Sequence, residues 1–129
     1  MKHRKAKGFL ANIGGAAAIE FAFTAPVFFM LVGGLIEVGL LLFTQVALQH
    51  GAEAAARCGS IDTNNCKTTS QIQSFAAAQT FGLSVPASTF TVTTPACGTK
   101  VAASTAFPVV FNYFGAPSLT LTASSCFPK

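Results

Sequence analysis

Apolar positions are concentrated at one end of the chain. Residues 21–36 carry no charge, and Glu37 is followed at once by Val38-Gly39-Leu40-Leu41-Leu42-Phe43. A helix rises about 1.5 Å per residue, so Phe21 to Phe43 covers roughly 33 Å, enough to cross a hydrocarbon core. The pattern predicts a membrane-spanning helix over residues 16–43. A secretory signal peptide has a shorter apolar core, roughly 7–15 residues, followed by a small-residue cleavage site. Here the run is longer and no Ala-x-Ala site follows directly, so it reads as an uncleaved anchor.

Beyond Phe43 the pattern changes without a helix breaker. The stretch 44–57 is rich in helix formers, has polar residues on one side, and sets Glu53 and Arg57 four apart as a favourable pair. It reads as an extension of the same helix outside the membrane, with His50 an exposed helix residue rather than a ligand or base. Cys58 to Cys66 is predicted to be a loop, with Gly59 ending the helix and Asp62-Thr63-Asn64-Asn65 supplying turn chemistry. Ser70-Gln71-Ile72-Gln73 looks like a capping box for a second helix whose apolar face is Ile72, Phe75 and Ala76, with Gly82 as its stop.

Three runs then switch to a period of two. Thr89–Thr94 sets Phe90 and Val92 on one face, Thr99–Phe107 does so with Val101 and Phe107, and Ser118–Ser124 alternates Leu119, Leu121 and Ala123 with Thr120, Thr122 and Ser124. Pro95-Ala96-Cys97-Gly98 turns the first corner, and Pro108–Pro117, with Phe111, Tyr113 and Phe114, is an apolar loop suited to a membrane or a partner. The fold class is therefore α+β. A leader over residues 1–15 precedes a long N-terminal membrane-spanning helix (16–57, with 44–57 outside the membrane). A small exported domain, 58–129, carries a short helix and a three-stranded antiparallel sheet.

Details within the span bear on association. Pro26 deletes one backbone bond and should loosen or kink the helix near Ala22. Gly14, Ala18 and Ala22 form a small-xxx-small stripe that lets another helix approach, or are ordinary lipid-facing small residues. Glu37 lies roughly 25 Å beyond Glu20 along the helix, near the outer interface. It reads as a carboxylate snorkelling to headgroups, with an inter-subunit contact as the alternative.

Composition agrees with a membrane segment: of 129 residues 51% are apolar and only 9% charged. The formal charge of +4 arises in the leader, from Lys2, Arg4, Lys5 and Lys7. Beyond Gly15, Arg57, Lys67, Lys100 and Lys129 balance Glu20, Glu37, Glu53 and Asp62, so no basic patch remains for nucleic acid. Lys and Arg beside a span stay cytoplasmic, which puts the C-terminal part outside. Four cysteines, all after the apolar run, then read as two disulfides in an oxidising compartment. A zinc site is the competing reading, but no two are two to four residues apart. Cys58 and Cys66 close a short loop. If the three strands form a meander, Cys97 and Cys126 come to the same corner.

No Gly-x-Ser-x-Gly, P-loop, Gly-x-Gly-x-x-Gly or His-Glu-x-x-His occurs, so there is no pattern for a catalytic site or a cofactor. Asp62 and Asn64 are spaced like the first ligands of a calcium loop, but its Gly and closing Glu are missing. No metal site is expected.

The chemistry concentrates instead at Gly14-Gly15-Ala16-Ala17-Ala18-Ile19-Glu20-Phe21, where the basic segment ends and one carboxylate opens the apolar run. A Gly followed by four residues and then Glu-Phe resembles the processing site of type IV pilin-like precursors, in the version used by tight-adherence (Tad) pilus systems. On that resemblance Gly15 ends the leader, Ala16 starts the mature chain, and Glu20 and Phe21 are its fifth and sixth residues. Glu20-Phe21-Ala22-Phe23-Thr24-Ala25-Pro26 is similar to the start of TadE-like proteins. So are Ile36-Glu37 late in the span, the helix ending in Ala55-Ala56-Arg57, and the run from Ala106-Phe107-Pro108 through Gly115 to Ser124. The chain departs from the family at Val38-Gly39-Leu40, where many members carry an aromatic and then a basic residue.

The resemblance implies a minor pilin or pseudopilin in assembly of a tight-adherence type IV pilus, cut by a prepilin peptidase after Gly15 and supporting adherence. Glu20 carries over as the processing and assembly acid, with Pro26 and Glu37 as further assembly candidates. Implied partners are the prepilin peptidase, other pilins or pseudopilins, the inner-membrane assembly platform and the lipid bilayer. The implied location is the bacterial inner membrane, single-pass, with the N-terminus cytoplasmic and the C-terminus periplasmic, or the extracellular pilus. A Tad major pilin is much shorter than the 114 residues (129 minus 15) left after Gly15. From another class, the alternative is a single-pass envelope-anchored binding protein that enters no pilus.

Overall fold

The apolar run and the alanine-rich stretch after it form one helix. In the computed structural model, which describes residues 14–62, 64–110, 115 and 118–128, α1 spans Gly14–Ile61. The rest of the leader, and Phe111, Tyr113 and Phe114 of the apolar loop, lie outside the described residues. The chain divides into two units, one ending at Ile36 and one starting at Glu37.

In the first unit the helix shows apolar side chains on every side. Ile19, Phe21, Val27, Phe28, Phe29 and Leu31 are exposed, and Phe23 is 78% exposed. A helix that is hydrophobic all round suits lipid, because its backbone groups are satisfied internally and its side chains need no water. Among the described residues it is the one helix long and apolar enough to cross a membrane, with a mean hydropathy of 2.3 over its most apolar window. The helix continues through Pro26. The missing N–H leaves the Ala22 carbonyl without its helical donor. One turn earlier the Thr24 hydroxyl donates to the Glu20 carbonyl at 2.8 Å.

In the second unit burial begins at Ala47 and Leu48 and recurs at Gly51, Ala52, Ala55 and Ala56, the spacing of one helix face. The helix runs through Gly59, which sequence reading took as its end, and stops at Ile61. A Cβ on Gly59 would lie 2.9 Å from both Ile72 Cδ1 and Thr99 Cγ2, and one on Gly51 would lie 2.7 Å from the Ala76 carbonyl oxygen. Both glycines thus serve close packing of neighbours on α1, a demand local sequence does not show.

The second helix, α2, spans Thr69–Ala78. Its capping box is Thr68 with Gln71, two residues before the expected pair. The Gln71 carboxamide oxygen accepts from the Thr68 N–H at 3.0 Å. Gln73 is occupied elsewhere, its Nε2 donating to the Phe90 carbonyl at 2.6 Å and tying α2 to the sheet. The helix also ends before Gly82; Phe81 and Gly82, with φ of 53° and 79°, turn the chain away.

A short 3-10 turn leads into β1 (Phe90–Thr93), β2 (Thr99–Pro108) and β3 (Ser118–Phe127). They form an antiparallel meander in the order β1-β2-β3, with Phe90 opposite Ala103 and Ala103 opposite Ala123. Phe90, Val101, Ala103, Leu121 and Ala123 bury one face against Leu48, Ala52, Ala55 and Ala56 of α1 and Ile72 and Ala76 of α2. Complete burial of a side chain such as Phe90 or Leu48 contributes about 1.5–3 kcal/mol. The small alanines on α1 let the sheet lie close to the helix.

Two carbonyls of β3 are taken by side chains of α1. Gln45 and Gln49 donate from Nε2 to the carbonyls of Thr122 (2.8 Å) and Ser124 (3.4 Å). Four residues of helix advance about 6 Å and two residues of strand about 6.6 Å, so the glutamines meet alternate carbonyls. An edge left open would invite pairing with another chain.

Two disulfides close the unit. Cys58–Cys66 has Cα atoms 5.7 Å apart and fastens the end of α1 to the following loop. Cys97–Cys126, at 6.3 Å, ties the β1–β2 corner to the end of β3. The corner needs Gly98, whose φ is 117° and where a Cβ would lie 2.1 Å from the Phe127 carbonyl oxygen.

Candidate functional site

Gly15, Ala16, Glu20, Phe21 and Pro26 all lie within α1, in the first unit. Ala16 and Glu20 are four residues apart, so they share a helix face about 6 Å apart along the axis. Side chains on a helix tilt toward its N-terminus, which inclines the Glu20 carboxylate toward Ala16. Glu20 and Phe21 are exposed, as are Ala18 and Ala22 on the small-residue stripe. A Cβ on Gly15 would meet nothing within 4 Å. The face is open to another helix. A carboxylate in apolar surroundings is costly without a partner, so Glu20 is chemically fitted to receive a cation there.

Glu37 is half-buried. Its Oε1 accepts a hydrogen bond from the backbone N–H of Val110, at the tip of the β2–β3 hairpin. Neither snorkelling nor an inter-subunit contact anticipates this bond. No sequence signal marks it, because the donor is a main-chain group 73 residues away.

A groove of about 540 Å³ runs along the outer part of α1, lined by His50, Glu53, Arg57, Ile61, Asp62 and Phe75 among others. Two of its titratable groups, His50 and Asp62, are engaged in structure. His50 Nδ1–H donates to the Gln79 carbonyl at 2.9 Å, and the ring stacks on Phe81 at 4.5 Å. Asp62 accepts from the Asn65 side chain (2.8 Å) and from the backbone N–H groups of Asn65 and Asn64. These bonds, the Asn65 side chain first, hold its carboxyl below the usual carboxylate range. Among the described residues, no three His, Cys, Asp or Glu side chains gather as a metal site.

Comparison with known proteins adds one finding. Residues 15–57 match the family model described as TadE-like protein, the family the sequence resembles. The match starts at Gly15, takes in Glu20, Pro26 and Glu37, and ends at Arg57. No curated protein and no solved structure matches the chain significantly.

Proposed function

We propose that this chain is a minor pilin or pseudopilin of a tight-adherence type IV pilus. The observation that carries the reading is the TadE-like match over residues 15–57, which coincides with the helix bearing Gly15, Ala16 and Glu20. A prepilin peptidase cuts after Gly15 and leaves a positive amine on Ala16. In a bundle of such helices, Glu20 of one subunit neutralises the amine of its neighbour. The exposed apolar surface of the first unit faces lipid before assembly and other helices after it. Lys2, Arg4, Lys5 and Lys7 keep the leader in the cytoplasm, so the disulfide-linked unit lies in the periplasm, with the anchor in the bacterial inner membrane. Its partners are the peptidase, other pilins or pseudopilins and the inner-membrane assembly platform. Its role is structural rather than enzymatic.

Removing the protein from its native bacterium should abolish or strongly reduce surface pili and adherence, with recovery on re-expression. Electron microscopy of negatively stained cells and a surface-attachment assay read the two effects. Undiminished piliation would instead support the envelope-anchored binding protein.

A further inference from the structure

We propose that Cys97 is a thiol–disulfide exchange site. It is the sulfur at which an envelope oxidoreductase, an enzyme whose active group is a reactive disulfide, engages the chain to close the Cys97–Cys126 bridge. Only one part of the pilin reading is needed, that the disulfide-linked unit lies in an oxidising compartment.

The two bridges differ in their surroundings. Cys66 is 3% exposed and belongs to the buried core, with Cys58 packed against it. Cys126 is half-buried and sits within the β2–β3 ladder, opposite Lys100. Cys97 is exposed, alone among the four cysteines. It lies in the turn between β1 and β2, which the Gly98 N–H closes by donating to the Pro95 carbonyl at 3.0 Å. Pro95 and Ala96 are exposed beside it, and its sequence neighbours Ala96 and Gly98 are small. Exchange requires a second sulfur to reach the bond, so access selects the sulfur that is attacked.

Sheet pairing supplies the other half of the site. Thr99 opposite Phe127 and Lys100 opposite Cys126 carry Cys126 to the same corner through the main chain. Directly opposite residues share a face of a sheet, so Lys100 stands on the same side as Cys126. A sulfur that attacks or leaves there as an anion has a cation for a neighbour. Cys97 is thus placed to receive the enzyme and Cys126 to release it.

In closure, the Cys97 thiolate attacks one sulfur of the enzyme's disulfide. A Cys97–enzyme disulfide forms, the enzyme's own S–S bond breaks, and its second sulfur leaves as a thiolate. The Cys126 thiolate then attacks Cys97 Sγ. The Cys97–Cys126 bond forms, and the enzyme's first sulfur leaves with the electron pair. The chain loses two protons and two electrons, and the enzyme, now a dithiol, gains both.

The same asymmetry is read in reverse on full-length wild-type protein in detergent, with reduced glutathione as the attacking thiol. Samples are quenched in acid over time and mapped by mass spectrometry without reduction. Cys97–Cys126 should open at least about tenfold faster than Cys58–Cys66, with glutathione on Cys97 and the free thiol on Cys126. Glutathione first on Cys126, or equal opening of the two bridges, overturns the proposal. In the native bacterium, Cys126→Ser removes the releasing sulfur, so Cys97 should be trapped in a reducible adduct with the enzyme. Absence of that adduct, or its appearance with Cys97→Ser instead, overturns the enzyme partner. Four free thiols in wild-type protein from native membranes would overturn the oxidising compartment, and with it the topology of the pilin reading.

Discussion

Glu20→Gln should leave the protein in the membrane and nearly abolish its assembly. The substitution keeps the shape of the side chain and removes its charge, so insertion of the span is not impaired. On the proposed pilin reading, the loss falls on the step in which a processed subunit joins its neighbours: the Ala16 amine would enter an apolar bundle, and without Glu20 it would enter unpaired. Removing one partner of a buried ion pair costs about 3–5 kcal/mol, which lowers association by roughly two to four powers of ten. Fractionation should find the variant in the membrane at the wild-type level. Pili sheared from the cells, and adherence, should fall to near the level of a strain lacking the protein. Normal piliation would show that the charge is dispensable. Glu37→Gln should do much less, because its carboxamide oxygen still offers an acceptor to the Val110 N–H.

Replacing Cys97 and Cys126 together by serine should cost the disulfide-linked unit roughly 3–4 kcal/mol, the chain-entropy value for a bridge that closes about thirty residues. Domains of this kind are stable by only about 5–15 kcal/mol, so the loss is a large share of the total. The corner it pins is tight: Gly98 sits against the Phe127 carbonyl, and Thr99 pairs with Phe127. The Cys58–Cys66 bridge spans 8 residues instead of 29, so its entropic contribution should be smaller by about 1 kcal/mol. Urea unfolding of detergent-solubilised protein, followed by circular dichroism, would show the lower midpoint for the double serine variant. A midpoint equal to wild type would mean that the meander holds its corner without the bridge.

Much of this architecture is legible in the sequence because its signals are local and periodic. The long apolar helix follows from an uncharged stretch of the right length. The strands follow from alternation at Leu119, Leu121 and Ala123. The pairing of Cys97 with Cys126 follows from the meander those strands form. What escaped reading depends on groups distant in sequence. Gly59 has the chemistry of a helix stop, but here it makes room for Ile72 and Thr99. Ser70 and Gln73 have the spacing of a capping box, but Gln73 is taken by β1, and Thr68 with Gln71 does the capping. The Glu37–Val110 bond and the two glutamines on β3 use backbone groups, which no side-chain pattern announces. At the candidate site, Gly15, Ala16, Glu20 and Phe21 were visible because they sit within eight consecutive residues. Their placement on exposed turns of α1 is compatible with processing and assembly, and neither step leaves a further mark on the fold of a single chain.

Processing after Gly15 is the step on which the pilin role depends. Intact-mass measurement and N-terminal sequencing of the protein extracted from native membranes, with and without the prepilin peptidase, read it directly. With the peptidase the chain should begin at Ala16, and without it the leader should remain attached. A chain that keeps its leader in the presence of the peptidase, or that begins beyond Phe43, would contradict the pilin role and leave an envelope protein of another kind.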